Sequence, residues 1–164
     1  MSIKEFELFH GVVLTRLVRS DKPLTLRMIE TNDDSWGVYT INDEVKLLIK
    51  HSASPRKLSR GNGGDSWVFH FSSEHIVQIN ELQQKQPVYV ALVCGRKDIK
   101  QGRMEICFLQ PDEFSKVINL SLIEAQSITI RHTLGAKNFR AFVDRKEIPL
   151  SSLNAIDRWK VPGS

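Results

Sequence analysis

Phe6, Phe9, Val13 and Leu17 recur at three- and four-residue spacing, the repeat that gathers one apolar face on a helix. Arg16 and Arg19 stand near its end, where cations suit the helix dipole. This pattern predicts an amphipathic helix over residues 5–19. Past the Ser20-Asp21-Lys22-Pro23 break, Leu24, Leu26 and Met28 alternate with Thr25 and Arg27 as in a half-buried strand, closed by the turn-rich residues 31–37. In residues 38–50, Val45, Leu47 and Ile49 share one side while Glu44, Lys46, Leu48 and Lys50 share the other. That alternation predicts a strand, or a tight hairpin around Asn42-Asp43.

Residues 51–66 break the periodicity with Pro55, Arg56, Lys57, Arg60 and the run Gly61-Asn62-Gly63-Gly64, and are expected to form a long loop. Trp67, Phe69 and Phe71 alternate with Val68 and His70, the mark of a short aromatic strand. Ser72 or Ser73 then caps a helix carrying Ile76, Ile79 and Leu82, with Glu74 in its first turn and Pro87 ending it. The nearly unbroken apolar run 88–94 predicts a central strand covered on both faces. After a basic turn at 95–103, residues 104–109 make another strand, and Pro111, Asp112 and Glu113 open a short helix bearing Phe114, Val117 and Ile118. Two alternating segments, 128–132 and 139–143, then form a hairpin.

Helix, strands, helix, strand, strand, helix and hairpin imply a mixed α/β domain with a central mixed sheet and flanking helices. Its expected divisions are a core over 1–120, a C-terminal hairpin extension of the same domain over 121–150 and an irregular tail over 151–164, with 161–164 loose. The full length of 164 residues suits one domain, and 41% hydrophobic with 26% charged residues is the composition of a globular chain rather than a disordered or membrane one. Cys94 and Cys107 lie in apolar runs, as buried small hydrophobes do. Without a basic leader or an apolar stretch of about 20 residues, the protein is expected in the cytoplasm, without a membrane partner. The net charge of +4 permits a nucleic-acid partner, and most of the basic excess falls after residue 120.

The sharpest candidate chemistry is Asp34, Glu44 and Lys46, whose spacing matches the metal-dependent nuclease pattern PD-(D/E)XK. Two carboxylates hold a hard divalent ion, Mg²⁺ or Mn²⁺, and a lysine orients or activates the attacking water. An acid two residues before a lysine also occurs at Asp98/Lys100 and Asp144/Lys146, so the short half of the pattern is common in this chain. The five histidines show no paired metal-ligand spacing, and no Walker loop, nucleophile elbow or dinucleotide fingerprint is present.

Phe9-His10-Gly11, the stretch Ile41-Asn42-Asp43 leading to Ile49-Lys50-His51, the aromatic Trp67, Phe69 and Phe71, and Ala91-Leu92-Val93-Cys94-Gly95 resemble small bacterial proteins. Their element order is similar to the restriction-endonuclease-like core, and the resemblance spans about residues 6–120. It implies Asp43 or Asp34 as the metal carboxylate and Lys46 or Lys50 as the catalytic lysine, with Glu44 beside them. Leu48 stands where the acid before Lys50 belongs and no Pro-Asp pair precedes the strand, so the resemblance is as consistent with an inactive or repurposed core as with a nuclease.

Two basic loops supply a second candidate: Arg56, Lys57 and Arg60 in the first and Arg96, Lys97, Lys100 and Arg103 in the second. They would neutralise phosphates if both emerge on one edge of the sheet. Phe139 and Phe142 beside Arg131, Arg140 and Arg145 would add a surface for a protein or a nucleic-acid strand. The expectation is a nucleic-acid-directed module acting on DNA or RNA, either a degenerate or divergent nuclease or a module that does no chemistry. The alternative is a non-catalytic interaction subunit that binds another protein in a bacterial assembly.

Overall fold

The computed structural model describes residues 2–19, 23–32, 36–59, 63–98, 100, 104–150 and 159–160. Asp34, Arg60, Arg103 and most of the expected tail lie outside the described residues. Helix α1 (Glu5–Val18) buries Phe9, Val13 and Leu17 of the stripe its spacing predicts, together with His10, while Phe6 is half-buried. The Lys4 backbone N–H donates to Glu7 Oε2 at 2.8 Å, closing one of the amide groups that a helix start leaves open.

Strands β1 (Leu26–Asn32), β2 (Trp36–Ile41) and β3 (Val45–Ser52) then run as an antiparallel meander. The β2–β3 connection is the tight hairpin: Asn42 and Asp43 take φ of 52° and 55°, and Glu44 N–H donates to the Ile41 carbonyl at 3.1 Å. Two successive left-handed residues are the turn that matches strand twist, and Asn and Asp tolerate that conformation. Strand β4 (Arg56–Lys57) and the start of β5 (Gly64–Phe71) occupy the stretch expected as a loop, with Arg56 paired to Ser66 and Lys57 to Asp65. A two-residue strand of exposed cations has no apolar alternation, so no pattern announced it.

Helix α2 (Ser73–Lys85) starts at Ser72, whose Oγ accepts from His75 N–H at 3.2 Å, and returns the chain to β6 (Val88–Cys94). Strand β6 pairs parallel with β3 and antiparallel with β7 (Glu105–Leu109). Helix α3 (Pro111–Val117) leads to β8 (Gln126–Thr133), β9 (Arg140–Val143) and β10 (Lys146–Ile148). Among the described residues no helix is long and apolar enough to cross a membrane.

The fold is mixed α/β, as its pattern predicts, but its strands divide between two five-stranded sheets. The first is mixed and ordered β1-β2-β3-β6-β7; the second is antiparallel and ordered β10-β9-β8-β5-β4. The expected C-terminal hairpin is present as the antiparallel pair β8–β9, and with β10 it completes the sheet begun by β4 and β5. The reason lies in β5. Its Trp67, Phe69 and Phe71 pack inward with Ile128 and Ile130 of β8 against Leu48, Val90 and Leu92 of the first sheet. Each such large side chain stabilises by about 1.5–3 kcal/mol when fully buried, which pairing edge to edge in one sheet would not achieve.

The opposite face of the first sheet carries Tyr39, Ile41, Val45, Leu47, Ile49, Ala91, Val93 and Phe108, and α1 covers it with Phe9, Val13 and Leu17. Trp159, in the segment expected to be irregular, packs on this side with its ring tilted against those of Tyr89 and Phe108, at centre-to-centre distances of 4.5 and 4.8 Å. A side chain at Gly95 would overlap the Phe9 ring, so this close approach of helix and sheet requires glycine there. Cys94 and Cys107 are free and fully buried on the paired strands β6 and β7. Burial pushes both thiols well above the usual cysteine range, with neighbouring acidic groups adding to it.

Candidate nucleic-acid interface

Strand β3 carries the residues of the nuclease pattern, and its boundaries decide where they go. It begins at Val45, so Asp43 and Glu44 sit exposed in the turn rather than on the strand face beside Lys46. Lys46 is half-buried and its Nζ donates to Thr40 Oγ1 on β2 at 2.9 Å. Partial burial lowers its pKa, the charges of Arg27 and Lys85 lower it further, and Asp43 acts in the other direction. Lys50 lies four residues on, about 13 Å away along the strand. It is buried, with its Nζ 5.2 Å from the centre of the Phe71 ring.

The turn therefore brings Asp43 near Lys46 and leaves Lys50 at the other end of the sheet. No group of three or more His, Cys, Asp or Glu side chains among the described residues is arranged to hold a metal ion. Asp34, the remaining member of the pattern, lies outside them.

The basic loops behave differently. Because β3 and β6 run parallel, both end on the same side: Ser52 is paired with Cys94, and Gly95 N–H donates to the Ser52 carbonyl at 2.8 Å. The segments that leave them, residues 53–55 and 95–98, meet there with β4 and the start of β5. Together they line a cleft of about 450 Å³ containing Lys57, Arg96, Lys97, Asp65 and Asp98. Arg96 is ion-paired with Asp65 and lies over the Trp67 ring at 5.8 Å, while Trp67 Nε1 donates to the Gly95 carbonyl at 2.9 Å. Arg56 precedes Lys57 on β4 and so projects to the opposite side of that strand. Cations distant in sequence are thereby gathered where open α/β sheets characteristically bind ligands, beyond the carboxyl ends of parallel strands.

A second cleft, of about 550 Å³, opens at the same end between β3, β5 and the start of α2. Lys50, His51, His70, Phe71 and His75 line it with residues 125–127, and His70 Nδ1 lies 2.7 Å from Ser127 Oγ. Histidines dispersed in the sequence also converge behind it. His10 and His51 lie with ring centres 6.2 Å apart, His51 stacks on Phe9 at 4.7 Å and faces Glu5 at 3.4 Å, and His10 Nδ1 shares a 3.0 Å hydrogen bond with the Tyr39 hydroxyl. Burial, reinforced by the nearby His51 charge, lowers the His10 pKa to about 4. His10 is therefore neutral at physiological pH and serves as a packed core side chain. The only sequence signal of this grouping is the pair of short stretches Phe9-His10-Gly11 and Ile49-Lys50-His51; spacing alone does not reveal it.

Comparison with protein-family models, with curated proteins and with solved structures finds no match. The geometry of this chain, a two-sheet α/β domain with a basic cleft at the ends of its parallel strands, carries the functional reading.

Proposed function

We propose that this protein is a non-catalytic, nucleic-acid-directed module that holds the phosphate backbone at the cleft beyond β3 and β6. The observation that carries the reading is the meeting of Lys57, Arg96 and Lys97, from two separate stretches of chain, around one concave edge. The small side chains of Ala53 and Ser54 leave the cleft open beside those cations. Asp65 and Asp98 share the cleft, so its surplus of charge is small and the contact set is small with it.

Two or three phosphate contacts give, for duplex DNA, a slope of log affinity against log salt of about −1.8 to −2.7, a loss of roughly 12- to 40-fold between 50 and 200 mM salt. Fluorescence anisotropy with labelled DNA and RNA measures it. The double variant Lys57→Glu/Lys97→Glu should abolish binding and leave the thermal melt unchanged. Salt-independent binding, or no binding at low salt, would sink the proposal. Incubation with Mg²⁺ or Mn²⁺ should leave both nucleic acids intact; cutting that disappears in Glu44→Ala and Lys46→Ala would instead establish the nuclease reading. Recovery of one stoichiometric protein partner, retained at high salt, would favour the interaction subunit.

A further inference from the structure

We infer that the outer face of the second sheet is a platform for single-stranded nucleic acid, with bases stacking at Arg131 and Phe142. This rests on the nucleic-acid reading above and names the form of nucleic acid and a second contact surface. The register of the sheet supplies the surface. Trp67, Ile130, Ala141 and Ile148 are paired across four strands and face the core, so the alternate positions face outward. Two outward rows result. One runs Arg56, Ser66, Arg131, Arg140 across β4, β5, β8 and β9, and the other places Thr129, Phe142 and Glu147 side by side, with Glu147 ion-paired to Arg140.

The chemistry of these rows fits an unpaired strand. The Arg131 guanidinium lies 4.1 Å from the centre of the Phe142 ring, and its Nε is buried without a hydrogen-bond partner among the described residues. Stacked in this way, Arg131 offers a flat cationic surface to a base and charge to the adjacent phosphate. Arg140 lies 5.2 Å from the same ring and is held by Glu147 through hydrogen bonds of 2.8 and 2.7 Å, which fixes the ring's flank. Arg56 and Arg140 are exposed at either end of the first row. Successive strands are about 4.8 Å apart, so the row spans about 14 Å, room for about two or three bases. A duplex has no exposed base faces to use this surface, whereas a polyanionic single strand complements both its charge and its stacking plane.

Arg56 and Lys57 are neighbours on β4 that project to opposite sides, so the platform and the basic cleft meet at this edge strand. One strand of nucleic acid would pass over the face and around β4 into the cleft.

The test compares a labelled single-stranded 12-mer with the same sequence as a duplex, by anisotropy, for the wild type, Phe142→Ala, Arg131→Gln and Lys57→Glu/Lys97→Glu. The platform predicts single-strand binding at least tenfold tighter than duplex, and a loss of about five- to hundredfold in Phe142→Ala and Arg131→Gln, with duplex binding unchanged. Because Phe142→Ala removes a half-buried ring, photocrosslinking of a 5-iodouracil strand to the wild-type protein gives a second readout, and the crosslink should map to β8 and β9. Equal affinity for both forms, or single-strand binding unaffected by either substitution and crosslinked elsewhere, would overturn the platform. If Lys57→Glu/Lys97→Glu still abolishes binding in that case, the cleft reading survives. Absence of binding to any nucleic acid would remove both.

Discussion

His10 makes the stability of this fold depend on pH in a direction that its environment dictates. The imidazole is 1% exposed and its pKa is lowered to about 4 from the ordinary 6.5, through burial first and the His51 charge second. Above neutral pH both folded and unfolded chains carry it uncharged, and its contribution is fully present. As pH falls through 6.5 the unfolded chain takes up a proton that the folded chain refuses until about pH 4, so stability is withdrawn over that window. At about 1.4 kcal/mol per pH unit the gap corresponds to a loss of about 3 kcal/mol by pH 4, most of it already present at pH 4.5.

Urea unfolding of the wild type and of His10→Asn at several pH values isolates the effect. Asparagine keeps a polar group within reach of the Tyr39 hydroxyl, which His10 Nδ1 meets at 3.0 Å, but it does not titrate. The variant loses ring packing and should be less stable at pH 7.5. Its unfolding free energy should nevertheless fall by about 2–3 kcal/mol less than that of the wild type on going to pH 4.5. Parallel pH curves for the two proteins would refute the reasoning, because the acid sensitivity would then reside in other groups.

Other substitutions test the packing. Gly95→Ala places a methyl group into the Phe9 ring and should destabilise by about 1–3 kcal/mol in a thermal melt, part of which Phe9→Leu in the same chain should restore. Cys94 and Cys107 should resist a thiol-specific reagent in the native protein and react only in step with unfolding, since both are fully buried and their thiolates are disfavoured; rapid labelling of the folded protein would contradict their placement.

Local features of the chain were legible without coordinates wherever a side chain acts through near neighbours. The stripe Phe9, Val13 and Leu17 fell where its spacing put it, Ser72 caps α2, Pro111 opens α3, and Asn42-Asp43 turns the β2–β3 hairpin. The alternation of Val45, Leu47 and Ile49 against Lys46, Leu48 and Lys50 survives as the two covered faces of β3. Glu44 shows the limit of such reading. Its place two residues before Lys46 suggested a shared strand face, but the left-handed turn starts β3 one residue later and leaves the carboxylate in solvent. Strand β4 was hidden because Arg56 and Lys57 are strand only by virtue of Ser66 and Asp65.

Spacing and residue type, which act over a turn of helix or a few residues of strand, were enough to settle the α/β class and the places of the three helices from the chain alone. Partnership between distant segments was not encoded in any such period. The parallel pairing of β3 with β6 sends both basic loops to one edge, and the departure of β5 into a second sheet aligns Arg56, Arg131 and Arg140 on one face. Those choices belong to the tertiary structure because they depend on which large apolar surfaces can cover one another. The burial of Trp67, Phe69 and Phe71 against the first sheet outweighs any local preference of the residues between them.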